Sequence, residues 1–168
     1  MKQFEDDKIT NTESDIAKIQ KKPGMYISYA GPMGALHLSK EMINNMIDEA
    51  VNEKSPADHI KVIVNEKENT LFVSDNGRGI PFDKLIMVCT ELQAGSKATR
   101  SDGGGTSAGE NGVGLTAINA LSEMFELTSQ RYGEHAKIKF NSGVIEHPEP
   151  VIEKINKKYE NRKDESAQ

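Results

Sequence analysis

The stretch LHLSKEMINNMIDEAVN, residues 36–52, contains neither glycine nor proline and predicts the central helix of the fold. At about 100° per residue, its apolar side chains fall on one arc of a helical wheel and most of its polar side chains on the opposite arc. Glu41, Asn45 and Glu49 recur at every fourth position, so they stack on one face. A solvated acidic face is the commoner interpretation. Because no Lys or Arg interleaves with them, these side chains could instead hold a divalent cation or activate a water.

Length and composition are typical of a globular domain. The chain has 168 residues, of which 36% are hydrophobic and 28% charged. No apolar run approaches the ~20 residues that span a bilayer, and the N-terminus is not a signal peptide. The single Cys89, in an apolar run, predicts a buried structural thiol and excludes an internal disulfide or a zinc cluster. We therefore expect a cytoplasmic protein without a membrane partner, and its net charge of −5 provides no basic footprint for nucleic acid.

Two predicted hairpins alternate with helices along the chain. The first has strands at 59–65 and 70–75, and the second at 124–130 and 135–141. Sequential hairpins predict an α+β two-layer sandwich, with a mixed, mostly antiparallel sheet that carries helices on one face. The other predicted segments are a polar arm and short helix at 1–22, a loop at 31–34, helices at 82–93 and 113–122, a glycine-rich loop at 94–111, and a charged tail at 151–168, either a frayed helix or disordered. The main domain is predicted at 23–150.

The segment DNGRGIP begins at Asp75, where the first hairpin ends. D-N-G is an ordinary β-turn signal, so this segment alone does not distinguish a turn from a binding site. In a binding site, Asp75 would accept a hydrogen bond from a planar N–H donor such as the adenine amine. Gly77 and Gly79 would let a flat ring approach the backbone, and Ile80 and Pro81 would form an apolar wall.

A second glycine-rich motif, GENGVG at residues 109–114, opens a predicted helix. Backbone N–H groups exposed at a helix start bind anions. The motif alone is weak evidence, because glycine-rich loops are often only linkers. It is not a P-loop, since no Lys-Ser/Thr follows its last glycine, and it is not a Rossmann fingerprint, since no strand leads into it.

Together the three segments predict one site for a purine nucleoside triphosphate. The charge of a triphosphate requires a cation, and Mg²⁺ prefers oxygen ligands. Asn45 offers a neutral amide oxygen. Glu41, one helical turn earlier, could take a proton from an attacking water.

The chain resembles the ATPase domain of type IIA DNA topoisomerases, in the group of gyrase B and topoisomerase IV B. This group belongs to the Bergerat-fold superfamily, with Hsp90, MutL and sensor histidine kinases. The superfamily's first three sequence boxes correspond here to EMINNMIDEA, DNGRGIP and GENGVGLTAINALS. KKPGMYI before the first box and LQAGSK after the second are features of the topoisomerase branch. The resemblance covers residues 14–146.

The resemblance implies ATP and Mg²⁺ as cofactors and assigns roles to matching residues. It makes Glu41 the general base, Asn45 the Mg²⁺ ligand and Asp75 the acceptor of the adenine amine. Glu49 and Arg78 match a pair beside the base pocket. The other implied nucleotide-binding positions are Gly79, Ile80 and Pro81, the lid residue Lys97, and the phosphate-loop residues Gly109, Glu110, Asn111, Gly112, Val113, Gly114 and Leu115.

The chain also departs from the family pattern. Asn76 stands where many relatives have a second Asp, and Phe4 is near the position of an arm Tyr that reaches the nucleotide of the partner subunit. The Gly-Thr strand of the fourth box and the transducer domain do not follow, so we expect a cloned fragment, a truncated gene product or one piece of a split subunit. We therefore expect ATP binding with weak or no turnover by this chain alone.

Four functions remain open at this point. The leading one is the ATP-operated gate of a type II topoisomerase, which implies a homodimer on ATP binding and contacts with a DNA-cleaving subunit and double-stranded DNA through regions outside this chain. The alternatives are the ATPase module of a MutL- or Hsp90-like protein, a kinase module, and an α/β domain with an empty cleft. KKPGMYI and the AGSK segment disfavour the first alternative, the absence of a phospho-acceptor His domain disfavours the second, and three motifs in order disfavour the third. Supercoiling and relaxation or decatenation are not distinguished.

Overall fold

The computed structural model describes residues 13–27, 31–52, 56–92 and 114–155. Lys97, Phe4 and residues 109–113, all singled out above, lie outside these ranges. The described helices are α1 (Asp15–Lys21), α2 (Pro32–Ala50), α3 (Leu85–Thr90) and α4 (Gly114–Leu121), with short 3₁₀ turns at Pro23–Met25 and Phe82–Lys84. The strands are β1 (Ile60–Asn65), β2 (Thr70–Asp75), β3 (Met124–Arg131), β4 (Glu134–Asn141), β5 (Val144–Ile145) and β6 (Val151–Lys154).

Helix α2 begins earlier than the sequence pattern predicted. Gly31 precedes it at φ +69°, and Pro32 occupies its first turn. Proline is tolerated there because its missing N–H would have no intrahelical partner. The prediction of a loop at 31–34 was therefore wrong, and the helix gains a turn before the acidic face.

Both predicted hairpins are confirmed, and every strand pairing among the described residues is antiparallel. In the first hairpin Val62 pairs with Val73, and in the second Leu127 pairs with Ile138. The described strands form two sheets rather than one, β1–β2 and a second sheet built around β4.

Strand β6 corrects the prediction for the start of the tail. Residues 151–154 pair with β4, with Ile152 opposite Ala136, instead of forming a frayed helix. The edge of β4 offers backbone groups for pairing, and Val151 and Ile152 are β-branched residues suited to a strand. His135 Nε2 also lies 3.1 Å from Glu153 Oε2 across this pair. Residues 156–168 lie outside the described ranges.

The main core lies between the second sheet and two helices. Phe140, Ile138 and Ala136 alternate along β4 and face inward, as a strand with one buried face requires. Leu85 and Cys89 of α3 pack against them, together with residues of α4. Cys89 is fully buried, as predicted, and burial raises the pKa of its thiol. The predicted placement of helices against one sheet face is confirmed for this sheet.

The opposite face of the second sheet is charged. Glu126 on β3 lies 2.8 Å from Lys137 and 3.3 Å from Lys139, both on β4. Partial burial tends to raise the pKa of Glu126, but hydrogen bonds from the two lysines outweigh it and lower the pKa. This face is therefore solvated, and α3 and α4 cover only the apolar side.

Helix α1 joins the core through long-range contacts. The hydroxyl of Ser14 caps it by accepting from Ala17 N–H at 3.2 Å. Its Gln20 Nε2 donates to Ala120 O at 3.0 Å and to Ser142 O at 2.8 Å. None of the described helices is long and apolar enough to cross a membrane.

Candidate nucleotide site

The acidic face of α2 lies against the start of α4. A Cβ built on Gly114, the first residue of α4, would be 3.4 Å from Glu41 Oε2 and 3.6 Å from Asn45 Nδ2. Both side chains are therefore adjacent to the N-terminal end of this helix, where unpaired backbone N–H groups favour an anion. Of the third segment, the structure describes Gly114, and this residue lies beside the first segment.

The other end of the same helix face meets the DNGRGIP loop. Asp75 ends β2, and its Oδ1 accepts a hydrogen bond from Gly77 N–H at 2.7 Å. A Cβ on Gly77 would lie 2.9 Å from Asp75 Oδ1 and 3.1 Å from Glu49 Oε2. Glycine at 77 thus lets both carboxylates approach the loop backbone closely.

Glu49 and Arg78 form the predicted pair. Arg78 Nε donates to Glu49 Oε1 at 3.2 Å, and the two side chains are 32% exposed for Arg78 and 24% exposed for Glu49. Glu49 Oε2 is buried and has no hydrogen-bond partner among the described residues. A buried acceptor of this kind is costly unless a ligand or water satisfies it, so Glu49 is well placed to receive a donor from a bound molecule.

Gly79 brings the loop against strand β3. It has a φ of +68°, and a Cβ there would lie 2.6 Å from the carbonyl oxygen of Gln130. Ile80 follows, and its backbone is held by the hydroxyl of Ser129. Pro81 then lines a pocket of about 490 Å³ together with Phe82, Asp83, Arg131 and Tyr132.

Ser129 was missed in the sequence analysis, although the pattern carried a signal. Phe125, Leu127 and Ser129 share the inward face of β3, and the first two are apolar. A hydroxyl at the third position indicates that a polar partner must be brought to that site. The identity of this hydrogen-bond partner depends on the geometry of the loop, so the sequence of the strand does not predict it.

Asn76 has a structural role that the sequence did not reveal. Its Oδ1 accepts from the backbone N–H groups of Asp58 and His59, both at 3.0 Å, and its Nδ2 donates to Asp58 Oδ1 at 2.6 Å. The amide therefore ties the loop after β2 to the segment before β1. Hydrogen bonds from His59 and Asn76 lower the pKa of Asp58.

We expect the substitution Asn76→Asp to lower the melting temperature modestly at neutral pH, because a carboxylate would replace the donor that faces Asp58. The loss should shrink as the pH falls through the carboxyl range, because protonating either group removes the repulsion and restores a donor. Thermal melts at several pH values measure this effect. The control is Asn76→Asp combined with Asp58→Asn, which restores one amide and one carboxylate; no recovery in that variant would contradict the assignment.

The donor groups in the described part of the site are compatible with a Mg²⁺ ion that a nucleotide brings with it. Among the described residues, no group of three or more His, Cys, Asp or Glu could hold a metal. Mg²⁺ commonly takes one or two protein ligands and completes its shell with water and substrate phosphates. Asn45, beside the start of α4, offers a ligand oxygen of the right chemistry for that arrangement.

The structure describes the positions of most predicted site residues and brings six of them together along α2. Glu41 and Asn45 lie beside Gly114, while Glu49 lies against Arg78 and the turn at 75–77. Leu115 is half-buried and packs against the main core. The predictions for Lys97 and for residues 109–113 remain predictions, because these residues lie outside the described ranges.

Comparisons with known proteins agree on one family. Residues 35–144 match the model described as histidine kinase-, DNA gyrase B-, and HSP90-like ATPase. The chain is 41% identical to the DNA gyrase B protein of Treponema pallidum over 134 residues, which cover 75% of this chain and 20% of the relative. It is 39% identical to the chloroplastic/mitochondrial DNA gyrase B protein of Nicotiana benthamiana over 134 residues, which cover 74% of this chain and 18% of the relative.

A solved structure shows the same fold. The crystal structure of the 43K ATPase domain of Thermus thermophilus gyrase B in complex with an aminocoumarin matches with a TM-score of 0.65 and 31% sequence identity. The match covers 83% of this chain and 34% of that one. The chain spans about a fifth of the length of the curated relatives named here.

Proposed function

The chain belongs to the family of histidine kinase-, DNA gyrase B- and HSP90-like ATPases, and on that basis we propose that it is the ATP-binding domain of a gyrase B-like type II DNA topoisomerase. In this proposal it binds ATP with Mg²⁺. The intact protein uses ATP binding to bring two such domains together and to gate the passage of one DNA duplex through another. Regions outside this chain make the contacts with DNA and with a DNA-cleaving subunit, and the expected location is the cytoplasm.

The observation that carries this proposal is the arrangement of polar groups along α2. Glu41 and Glu49 are eight residues apart, which at 1.5 Å per residue is about 12 Å along the helix. Glu49 is adjacent to the Asp75 turn, and Glu41 is adjacent to the start of α4. A single helix face therefore connects a base-reading carboxylate with an anion-binding helix end, over a distance suited to an adenine nucleotide.

These positions support the roles that we propose for the residues. Asp75 accepts a hydrogen bond from the exocyclic amine of adenine, and Ile80 and Pro81 contact the ring. The N-terminal backbone groups of α4 bind phosphate oxygens. Mg²⁺, held by Asn45 and the phosphates, would neutralise charge on the triphosphate. Glu41 then orients a water and accepts its proton as that water attacks the γ-phosphate.

Titration of the chain with a non-hydrolysable ATP analogue and Mg²⁺ tests the proposal. We expect saturable binding of one analogue per chain by calorimetry. An analogue that lacks the exocyclic amine, such as a purine riboside triphosphate, should bind more weakly. No detectable heat at high analogue concentration would contradict the proposed function.

The variant Glu41→Gln should separate binding from hydrolysis. Glutamine keeps the size of the side chain but cannot accept the proton, so we expect near-normal analogue binding and a loss of about hundredfold in any ATP turnover. Phosphate release measures turnover, and calorimetry measures binding. A glutamine variant that loses affinity as well as turnover would mean that Glu41 holds the nucleotide and does not act as the base.

A further inference from the structure

We propose that Ser129 is a positioning residue that fixes the apolar wall of the adenine pocket by binding both backbone groups of Ile80. This inference rests on the proposed function. The hydroxyl of Ser129 accepts a hydrogen bond from Ile80 N–H at 2.8 Å and donates one to Ile80 O at 2.7 Å. Ser129 is only 4% exposed. One side chain on β3 therefore holds Ile80, the first residue of the apolar wall that Ile80 and Pro81 form.

A hydroxyl is unusual at this position of the strand. The two residues that precede Ser129 on the inward face of β3 are apolar, with Phe125 in the main core and Leu127 packed against it. Burying a hydroxyl without a partner is destabilising, so a serine here would be unfavourable if the loop lay elsewhere. The placement of Ser129 and the placement of Ile80 consequently depend on each other.

The loop cannot be held by ordinary strand pairing. Pro81 has no N–H to donate, and Gly79, at φ +68°, turns the chain out of an extended conformation. Ile80 between them presents one donor and one acceptor to β3. A serine hydroxyl can donate once and accept twice, so one side chain satisfies both groups of Ile80.

The link between Ser129 and Ile80 contributes to the width of the base pocket. Asp75 is fixed at the end of β2, whereas the wall formed by Ile80 is fixed by β3 of the other sheet. No strand pairing joins these two sheets among the described residues. The hydrogen bonds of Ser129, together with the packing of Ile80 against the main core, therefore set how far the wall stands from the carboxylate that reads the adenine amine.

Removing the hydroxyl should reduce affinity without removing any direct contact to the nucleotide. Without these hydrogen bonds, the wall formed by Ile80 and Pro81 samples several positions. Part of the binding free energy of the nucleotide is then used to order it. We therefore expect the substitution to weaken binding of the adenine base. The contacts of Glu41 and Asn45 near α4 are unchanged by the substitution.

The test compares Ser129→Ala with Thr128→Ala in the full chain. Thr128 is the matched control, because it carries a hydroxyl on the same strand but faces solvent. Two quantities are measured: the hydrogen-exchange rate of the Ile80 amide by NMR, and the affinity for a non-hydrolysable ATP analogue. We expect Ser129→Ala to accelerate hydrogen exchange of the Ile80 amide about tenfold and to lower the affinity for the analogue about five- to tenfold. We expect neither change in Thr128→Ala.

Further measurements separate positioning from a general loss of structure. A purely structural role would also accelerate exchange of core amides such as Phe140, whereas the positioning role leaves them protected. Ser129→Thr, which restores the hydroxyl, should recover slow Ile80 exchange and most of the affinity. If Ser129→Ala fails to fold, Ser129→Cys replaces it, because its thiol fills similar space with weaker hydrogen bonds.

The inference is overturned if a folded Ser129→Ala or Ser129→Cys variant keeps wild-type affinity, or loses affinity with unchanged Ile80 exchange. A different result would refute the proposed function instead. If the wild-type chain bound no analogue, nucleotide binding would fail, and faster Ile80 exchange in the alanine variant would still establish that Ser129 holds the loop.

Discussion

Replacing Asp75 with alanine is expected to weaken binding of a non-hydrolysable ATP analogue by about hundredfold, the largest effect on ligand binding of any substitution considered. Two losses combine in this variant. The acceptor for the adenine amine disappears, and Gly77 N–H loses the partner that now lies 2.7 Å away. The turn that brings Glu49 against the loop is therefore also weakened. Calorimetric titration in the presence of Mg²⁺ measures the effect.

Two further variants identify the cause of this loss. Asp75→Asn keeps an oxygen that can accept a hydrogen bond from Gly77 N–H, so it should fold normally. It changes the hydrogen-bond donors and acceptors that face the base, so it should still bind the analogue poorly. Asp83→Ala removes an exposed carboxylate from the following turn and should bind like the wild type. Near-normal binding by Asp75→Ala would contradict the assignment of Asp75, whatever the control shows.

The second large effect concerns stability. We expect Gly79→Ala to lower the free energy of unfolding by about 2–4 kcal/mol, because it combines a strained backbone with a backbone collision. Alanine disfavours the φ of +68°, and its Cβ would lie 2.6 Å from Gln130 O. Neither the loop nor β3 can move without disturbing the hydrogen bonds between Ile80 and Ser129. Urea denaturation measures the difference.

Gly133→Ala is the matched control for this prediction. Gly133 has a φ of +78°, close to that of Gly79, but a Cβ there meets nothing within 4 Å. The control thus has the conformational strain without the collision, and we expect its free energy of unfolding to fall by about 1 kcal/mol. Equal losses in the two variants would show that the close approach to β3 does not matter.

Local patterns predicted the hairpins and the polar face of α2 well. Alternating residues indicated the two hairpins, and the four-residue spacing of Glu41, Asn45 and Glu49 placed all three on one face of α2. The D-N-G turn at the end of β2 was equally local. Each of these features depends on residues within one element, which is why the sequence alone was sufficient.

The features that the sequence did not reveal depend on contacts between distant segments. Strand β6 forms because β4 offers an edge, and its four residues are too few to show a period. The role of Asn76 requires the segment at Asp58, and that of Ser129 requires Ile80. The division of the strands into two sheets has the same origin, since the loop at 79–81 meets β3 through a side chain instead of a ladder.

The contact between α1 and the turn at Gly143 restricts which substitutions this protein can accept. Gly143, in the turn between β4 and β5, has a φ of +79°, and a Cβ there would overlap Cγ2 of Ile16. A side chain at position 143 would therefore meet the strain of this φ and, while Ile16 is present, an overlap with Ile16 as well. We therefore expect lineages that retain the isoleucine to retain the glycine, although the two positions are 127 residues apart in the sequence.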